Sequence, residues 1–288
     1  MSVRRHALLV VLTIALLSTA SNAKKIASCT FDTFNPPSGY TIAEVNGIGD
    51  DGTVVGQLFD NNTQRGVGFL RAPNGKITVY SAPKSSQTWI YGQNATGTSV
   101  GYYLDSKSHL HGFSLAGGKF TSFDYPKATN TWLLDVNQQG ATVGSYGTSS
   151  AVKGFLLANG NYTTIAYPNQ QSTYVYALND SQAAVGSYFN GSVSFGFLWQ
   201  NGKFTDINYP KARYGTLLSG INNAGVIVGN HISADRAFGF IYQKNAFANI
   251  VYSGGNYTLA GGINNNGVIS GQIVMKNGDT LGFTAVCK

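Results

Sequence analysis

The sequence predicts an all-β fold: a six-bladed β-propeller of four-stranded blades, with the ring closed by the N-terminal strand. Three observations lead there. First, a motif best seen as Gly220-Ile221-Asn222-Asn223-Ala224-Gly225-Val226-Ile227-Val228-Gly229 recurs along the chain. Its closing glycine is found at Gly56, Gly101, Gly144, Gly186, Gly229 and Gly271, with spacings of 45, 43, 42, 43 and 42. Second, a Gly-Phe pair follows each copy, at Gly68, Gly112, Gly154, Gly196, Gly239 and Gly282. Third, each copy reads as four short apolar runs and no helix, and four strands in about 43 residues is the pattern of a propeller blade.

The third copy serves as template. Runs over 131–137, 141–146, 153–157 and 162–167 are called strands A to D. The A–B turn opens with Asn137 and has Gly140 fourth, as in Asn94…Gly97, Asn222…Gly225 and Asn264…Gly267. Asn favours opening a type I turn and Gly takes the left-handed position after it, which makes a bulged hairpin. On this reading the recurrent asparagines are turn formers and not a ring of ligands. Asn159-Gly160 and Asn201-Gly202 mark the C–D turn.

The last copy stops after strand C, at Cys287-Lys288, and its missing strand lies at the other end of the chain. Phe31-Asp32-Thr33-Phe34-Asn35-Pro36-Pro37 matches Phe120-Thr121-Ser122-Phe123-Asp124-Tyr125-Pro126, so residues 29–37 complete the last blade. That alignment places Cys29 and Cys287 on the neighbouring turn positions Gly118 and Gly117, predicting a disulfide where the peptide connection is absent.

Residues 1–23 read as a secretory signal: Arg4 and Arg5 precede an apolar core over 7–17, and Ser21-Asn22-Ala23 supplies a small-residue cleavage site. That core is too short to span a bilayer, and no other stretch has spanning length. The expectation is one domain over 24–288, a monomer, secreted, periplasmic or at the cell surface. The chain has 19 Lys plus Arg and 12 Asp plus Glu; without Arg4 and Arg5 it carries 17 against 12, or +5. Such a balance permits acidic partners without requiring them, and nothing in the pattern points to nucleic acid.

Repeats of the form G-I-N-x-x-G-x-I-V-G, with a following G-F-L and F-T-x-x-x-Y-P, resemble the bacterial extracellular HAF-repeat family over roughly residues 30–287. His111-Gly112-Phe113 comes nearest the eponymous triplet, with Gly in place of its Ala. The resemblance implies export and a repeat architecture. It implies no catalytic residue and no cofactor.

Motifs with a chemical look dissolve into the repeat. Gly97-Thr98-Ser99-Val100-Gly101 is a literal G-x-S-x-G, yet Ser99 occupies a strand B position held by Ile227 in the fifth copy. A nucleophile elbow needs a strand-to-helix turn, which is missing. Gly47-Ile48-Gly49-Asp50-Asp51-Gly52 falls on an A–B turn with no helix to receive a phosphate, so Asp50 and Asp51 read as turn formers. His109 and His111 share a strand face, while His231 belongs to a distant copy, too few ligands for a metal site.

Two features point to a ligand surface. Lys84, Lys127 and Lys211 follow the strand D proline in their copies, on the rim carrying the D–A and B–C loops. Trp89, Trp132 and Tyr174 are equivalent positions at the start of strand A, replaced by Leu217 and Leu259 in copies five and six. Together they predict a binding module for an acidic or neutral glycan or a surface protein, around the mouth of the channel. Acids on the B–C loops (Asp60, Asp105, Asp235, Asp279) are scattered over different copies. A polysaccharide lyase or hydrolase on that rim is therefore the alternative, beside a purely structural envelope protein.

Overall fold

In the computed structural model, residues 25–148, 150–210, 212–233 and 236–288 are described. The expected leader, Lys211 and Asp235 lie outside them. The described chain is all β. After β1 (Lys25–Ile26) and β2 (Cys29–Phe34) comes an antiparallel unit of β3 (Tyr40–Ile48), β4 (Val54–Asp60), β5 (Arg65–Arg71) and β6 (Ile77–Tyr80). The same meander is repeated by β7 (Gln87–Gln93), β8 (Ser99–Leu104), β9 (Leu110–Ala116) and β10 (Lys119–Phe123). It recurs in β11 (Asn130–Val136), β12 (Thr142–Gly147), β13 (Val152–Ala158) and β14 (Asn161–Ile165), then in β15 (Ser172–Leu178), β16 (Ala184–Phe189), β17 (Ser194–Gln200) and β18 (Lys203–Asp206). A further unit is β19 (Gly215–Ile221), β20 (Ile227–Ser233), β21 (Arg236–Gln243) and β22 (Ala246–Ile250). Finally, β23 (Gly255–Ile263), β24 (Val268–Met275) and β25 (Thr280–Cys287) take β2 as their fourth strand.

The repeating glycines and phenylalanines form one packing device. Gly101 and Phe113 are paired across β8 and β9, and the ring of Phe113 is fully buried. A Cβ on Gly101 would strike the carbonyl of Trp89 and come within 2.9 Å of that ring. The glycine preceding the phenylalanine serves the joint between units in the first five copies: a Cβ on Gly68 would meet Ile90 of the next strand A at 2.6 Å, whereas one on Gly282 would strike the Phe34 ring of β2. The corresponding phenylalanines, from Phe69 to Phe283, are all fully buried, one per repeat. Such close-packed interiors leave no room for an added methyl, so the motif recurs because the same fit recurs.

Threonines two positions before the middle of strand A are buried but satisfied. Thr131, for instance, accepts the main-chain N–H of Tyr125 at 2.9 Å and thereby fixes the D–A turn. The asparagines do more than form turns. Asn222 Oδ1 accepts the N–H groups of Ala224 and Val226, as an A–B turn requires. Its Nδ2 also donates to the carbonyl of Asn264 in the next unit at 3.2 Å. The same donation runs from Asn94 to Asn137, Asn137 to Asn179, Asn179 to Asn222, and Asn264 to Gly49. Turn geometry alone was therefore an incomplete account of these residues.

The two ends meet as the alignment required. Cys29 stands opposite Cys287 on β2 and β25, with a Cα separation of 4.0 Å, and the two form a disulfide. Asp32 of β2 lies 3.8 Å from Arg71, whose guanidinium sits 4.5 Å over the Phe34 ring. Before that strand, β1 pairs parallel with β22, so the N-terminal segment adds to two successive units.

Candidate functional site

Strand A runs along the inside of each unit and carries a bulge at an equivalent place, with a second register shift in β3, between Ile42 and Glu44, and in β23, between Gly255 and Tyr257. In β7 the register shifts between Ile90 and Gly92, leaving Tyr91 as the extra residue. Equivalent shifts leave Leu134, Tyr176, Ser219 and Gly261 as extra residues, and Asn46 in the first unit. A bulge re-aims side chains and is frequent beside binding sites. Here these residues line a cavity of about 430 Å³ bounded by strand A of all the units.

Two tyrosines and two carboxylates give that cavity its chemistry. Tyr91 and Tyr176 are bulge residues. Glu44 stands where other units carry Trp89, Trp132, Tyr174, Leu217 and Leu259. Asp135 stands where they carry Gly47, Gly92, Ala177, Gly220 and Gly262. It packs directly on Gly92, whose missing side chain makes the space.

Asp135 Oδ1 accepts the N–H of Val136 at 2.8 Å and Oδ2 that of Leu178 at 3.0 Å. Burial outweighs these bonds, and Asp180 and Asp50 add like charge, so its pKa is pushed up to about 7. Burial likewise raises the Glu44 carboxyl, opposed by the hydroxyl of Tyr91, which donates to Glu44 Oε2 at 3.3 Å. Burial pushes the Tyr176 phenol up to about 12, so it enters the cavity as a neutral donor and acceptor. Among the described residues no Lys, Arg or His lines the cavity. Gln272 and Asn230 also face it, but their amides already hold main-chain groups of neighbouring units: Gln272 Oε1 accepts Val45 N, and Asn230 bonds both polar groups of Ala260.

The cavity narrows toward the A–B turns, where a polar belt crosses the axis around a space of only about 50 Å³. Asn265 Nδ2 donates to Asp50 Oδ2 and Asn223 Nδ2 to Asp180 Oδ2, at 2.9 and 2.6 Å. Gln138 Nε2 donates to the same Asp50 oxygen at 3.0 Å, while its main-chain N–H donates to Asp180 Oδ1. Asp50 is thus a cross-repeat acceptor, and Asp51 both caps its own turn through Thr53 and accepts Gln93 Nε2 of the next unit at 3.3 Å.

The sequence-predicted aromatics sit behind the cavity-lining tyrosines. Trp89 stacks on Tyr102 at 4.8 Å, and Tyr102 on Tyr91 at 5.4 Å. Trp132 meets Tyr174 edge-on at 6.4 Å, and Tyr174 lies along Tyr176 at 6.2 Å. Lys84 and Lys127 are exposed on D–A turns, both with left-handed backbone at φ 61° and 64°. Asn169 (φ 60°) and Gly254 (φ 93°) hold the corresponding places in later copies, so the turn itself sets this conformation.

The remaining motifs are accounted for locally. Ser99 is fully buried and donates to Gln93 Oε1 at 2.9 Å. His111 bridges Asp124 and Asp105 at 2.9 and 3.4 Å, with His109 3.6 Å from Asp105. Among the described residues no group of three His, Cys, Asp or Glu side chains is placed to share a metal. His231 is stacked on Tyr209 at 3.7 Å inside its own unit.

No family model and no curated protein matches the chain. Solved structures do. A mutant of AofleA from Arthrobotrys oligospora is 14% identical with a TM-score of 0.58, covering 90% of this chain and 88% of that one. A mutant of Aleuria aurantia lectin in complex with α-methyl-L-fucoside is 13% identical with a TM-score of 0.54, covering 85% of this chain and 91% of that one. A gluconolactonase from Xanthomonas campestris is 13% identical with a TM-score of 0.54, covering 93% of each. At these identities the likeness establishes the fold alone: the chain is a β-propeller. Among the described residues no helix is long and apolar enough to cross a membrane.

Proposed function

We propose that this chain is an exported six-bladed propeller, closed by β2 and of the HAF-repeat type, that binds a glycan in its axial cavity. The observation that carries the reading is the 430 Å³ cavity in which Tyr91 and Tyr176 stand with Glu44 and Asp135. Its volume suits a small ligand, and aromatic faces with a few placed polar groups suit a sugar ring. The cavity carboxylates turn the expectation away from acidic glycans and toward neutral or cationic ones. Lys84 and Lys127 on the rim then serve a secondary role in approach, weakened by salt. The disulfide fits an oxidising compartment. A glycan screen on the purified protein tests the reading, repeated with Tyr91→Ala and Tyr176→Ala. Binding lost in either variant supports it; binding that survives both puts the site elsewhere.

A hydrolase or lyase acting in the same cavity is the second reading, favoured by Asp135. A carboxyl with pKa near 7 is suited to proton transfer at neutral pH. Release of reducing ends from a bound polysaccharide, abolished by Asp135→Asn with binding retained, distinguishes it from simple binding.

A further inference from the structure

The polar walls of the cavity have one sign. Glu44 and Asp135 enter it from strand A of different units, each breaking a repeat position that elsewhere is apolar, aromatic or small. The charged groups acting on Asp135 from below, Asp50 and Asp180, are acids too. From the sides come the neutral phenols of Tyr91 and Tyr176. No basic side chain among the described lining residues offsets any of them. A half-buried carboxyl group with no cation beside it is costly to ionise, and this protein places two of them around one cavity.

We infer that the ligand itself supplies the missing cation, and that the cavity selects sugars bearing a free amino group over their N-acetylated or neutral counterparts. This deepens the glycan reading and rests on it. An ammonium group inside would sit among Glu44, Asp135 and the faces of Tyr91 and Tyr176, which attract cations through their ring quadrupoles. The sugar hydroxyls would meet the phenol oxygens. A divalent metal fits less well, since no three carboxylate or imidazole groups among the described residues converge.

The test is calorimetric titration of the full chain, at pH 6.5 and low salt, with a glucosamine tetramer and with its fully N-acetylated form. The expected result is at least a tenfold preference for the free amine. Glu44→Gln and Asp135→Asn should each reduce that preference about tenfold. Near-ultraviolet circular dichroism confirms that the variants fold. Equal affinities, or a preference that survives both substitutions, overturns the inference while the glycan reading stands. Failure of every saccharide to bind overturns both. A glucosamine signal abolished by millimolar calcium assigns the acids to a metal and also overturns it.

Discussion

The side-chain amide of Asn264 donates to the main-chain oxygen of Gly49 at 3.0 Å, across 215 residues of sequence. The same side chain accepts the N–H groups of Asn266 and Val268 through Oδ1, so one residue shapes its own turn and holds the first unit to the last.

Asn264→Asp separates these roles. The acceptor is kept, the donor is lost, and a buried carboxylate faces a carbonyl. We expect a loss of about 1–3 kcal/mol in urea unfolding, the cost of an unsatisfied buried group. A neutral result would mean that the turn alone matters.

Asp135 makes stability depend on pH. Its folded pKa of about 7 lies above the ordinary aspartate value of 3.8, so the native state holds a proton that the unfolded chain releases. Stability is then full below about pH 4 and declines as pH rises toward 7, by at most about 4 kcal/mol at 1.36 kcal/mol per pKa unit. The figure is an upper bound, since Asp135 is only partly buried. Asp135→Asn removes this dependence, so the variant gains on the parent between pH 4.5 and 8. An unchanging stability difference across that range would contradict the assignment.

The repeat made the architecture legible, because Gly101 with Phe113 and Asn222 with Gly225 report local geometry wherever they recur. The β2–β25 pairing was readable for the same reason: Phe31 to Pro37 carries a strand D signature at the wrong end of the chain. The cavity was not read. Its signal was present, as departures from the repeat on strand A: Asp135 among glycines and alanines, and Glu44 among aromatics and leucines. Sequence variation is greatest on the B–C loops and draws attention to acids there, whereas the repeat-breaking acids lie on the innermost strands. Bulges at Tyr91 and Tyr176 depend on backbone register, which alternation of apolar residues does not reveal. The interunit use of the asparagine amides was hidden by a sufficient local explanation.

The cysteines give a covalent check on how the ends meet. Non-reducing peptide mapping of exported protein should find Cys29 linked to Cys287. Removing that cross-link, which closes 258 residues, should lower stability by on the order of 5 kcal/mol in the chain-entropy model. Two free thiols in folded protein would contradict the pairing.

Ser99→Ala deletes only the bond to Gln93 Oε1. The expected effect is about 1 kcal/mol of stability with no change in ligand binding or any hydrolysis. Loss of activity in a folded variant would restore the G-x-S-x-G motif as chemistry.

The most direct measurement is a crystal structure of the protein soaked with the saccharide that binds best in the screen. The account predicts sugar density on the axis, between the rings of Tyr91 and Tyr176 and within hydrogen-bond distance of Glu44 or Asp135. Density confined to the clefts between units or to the D–A and B–C loops, with the axial cavity holding only water, would contradict it.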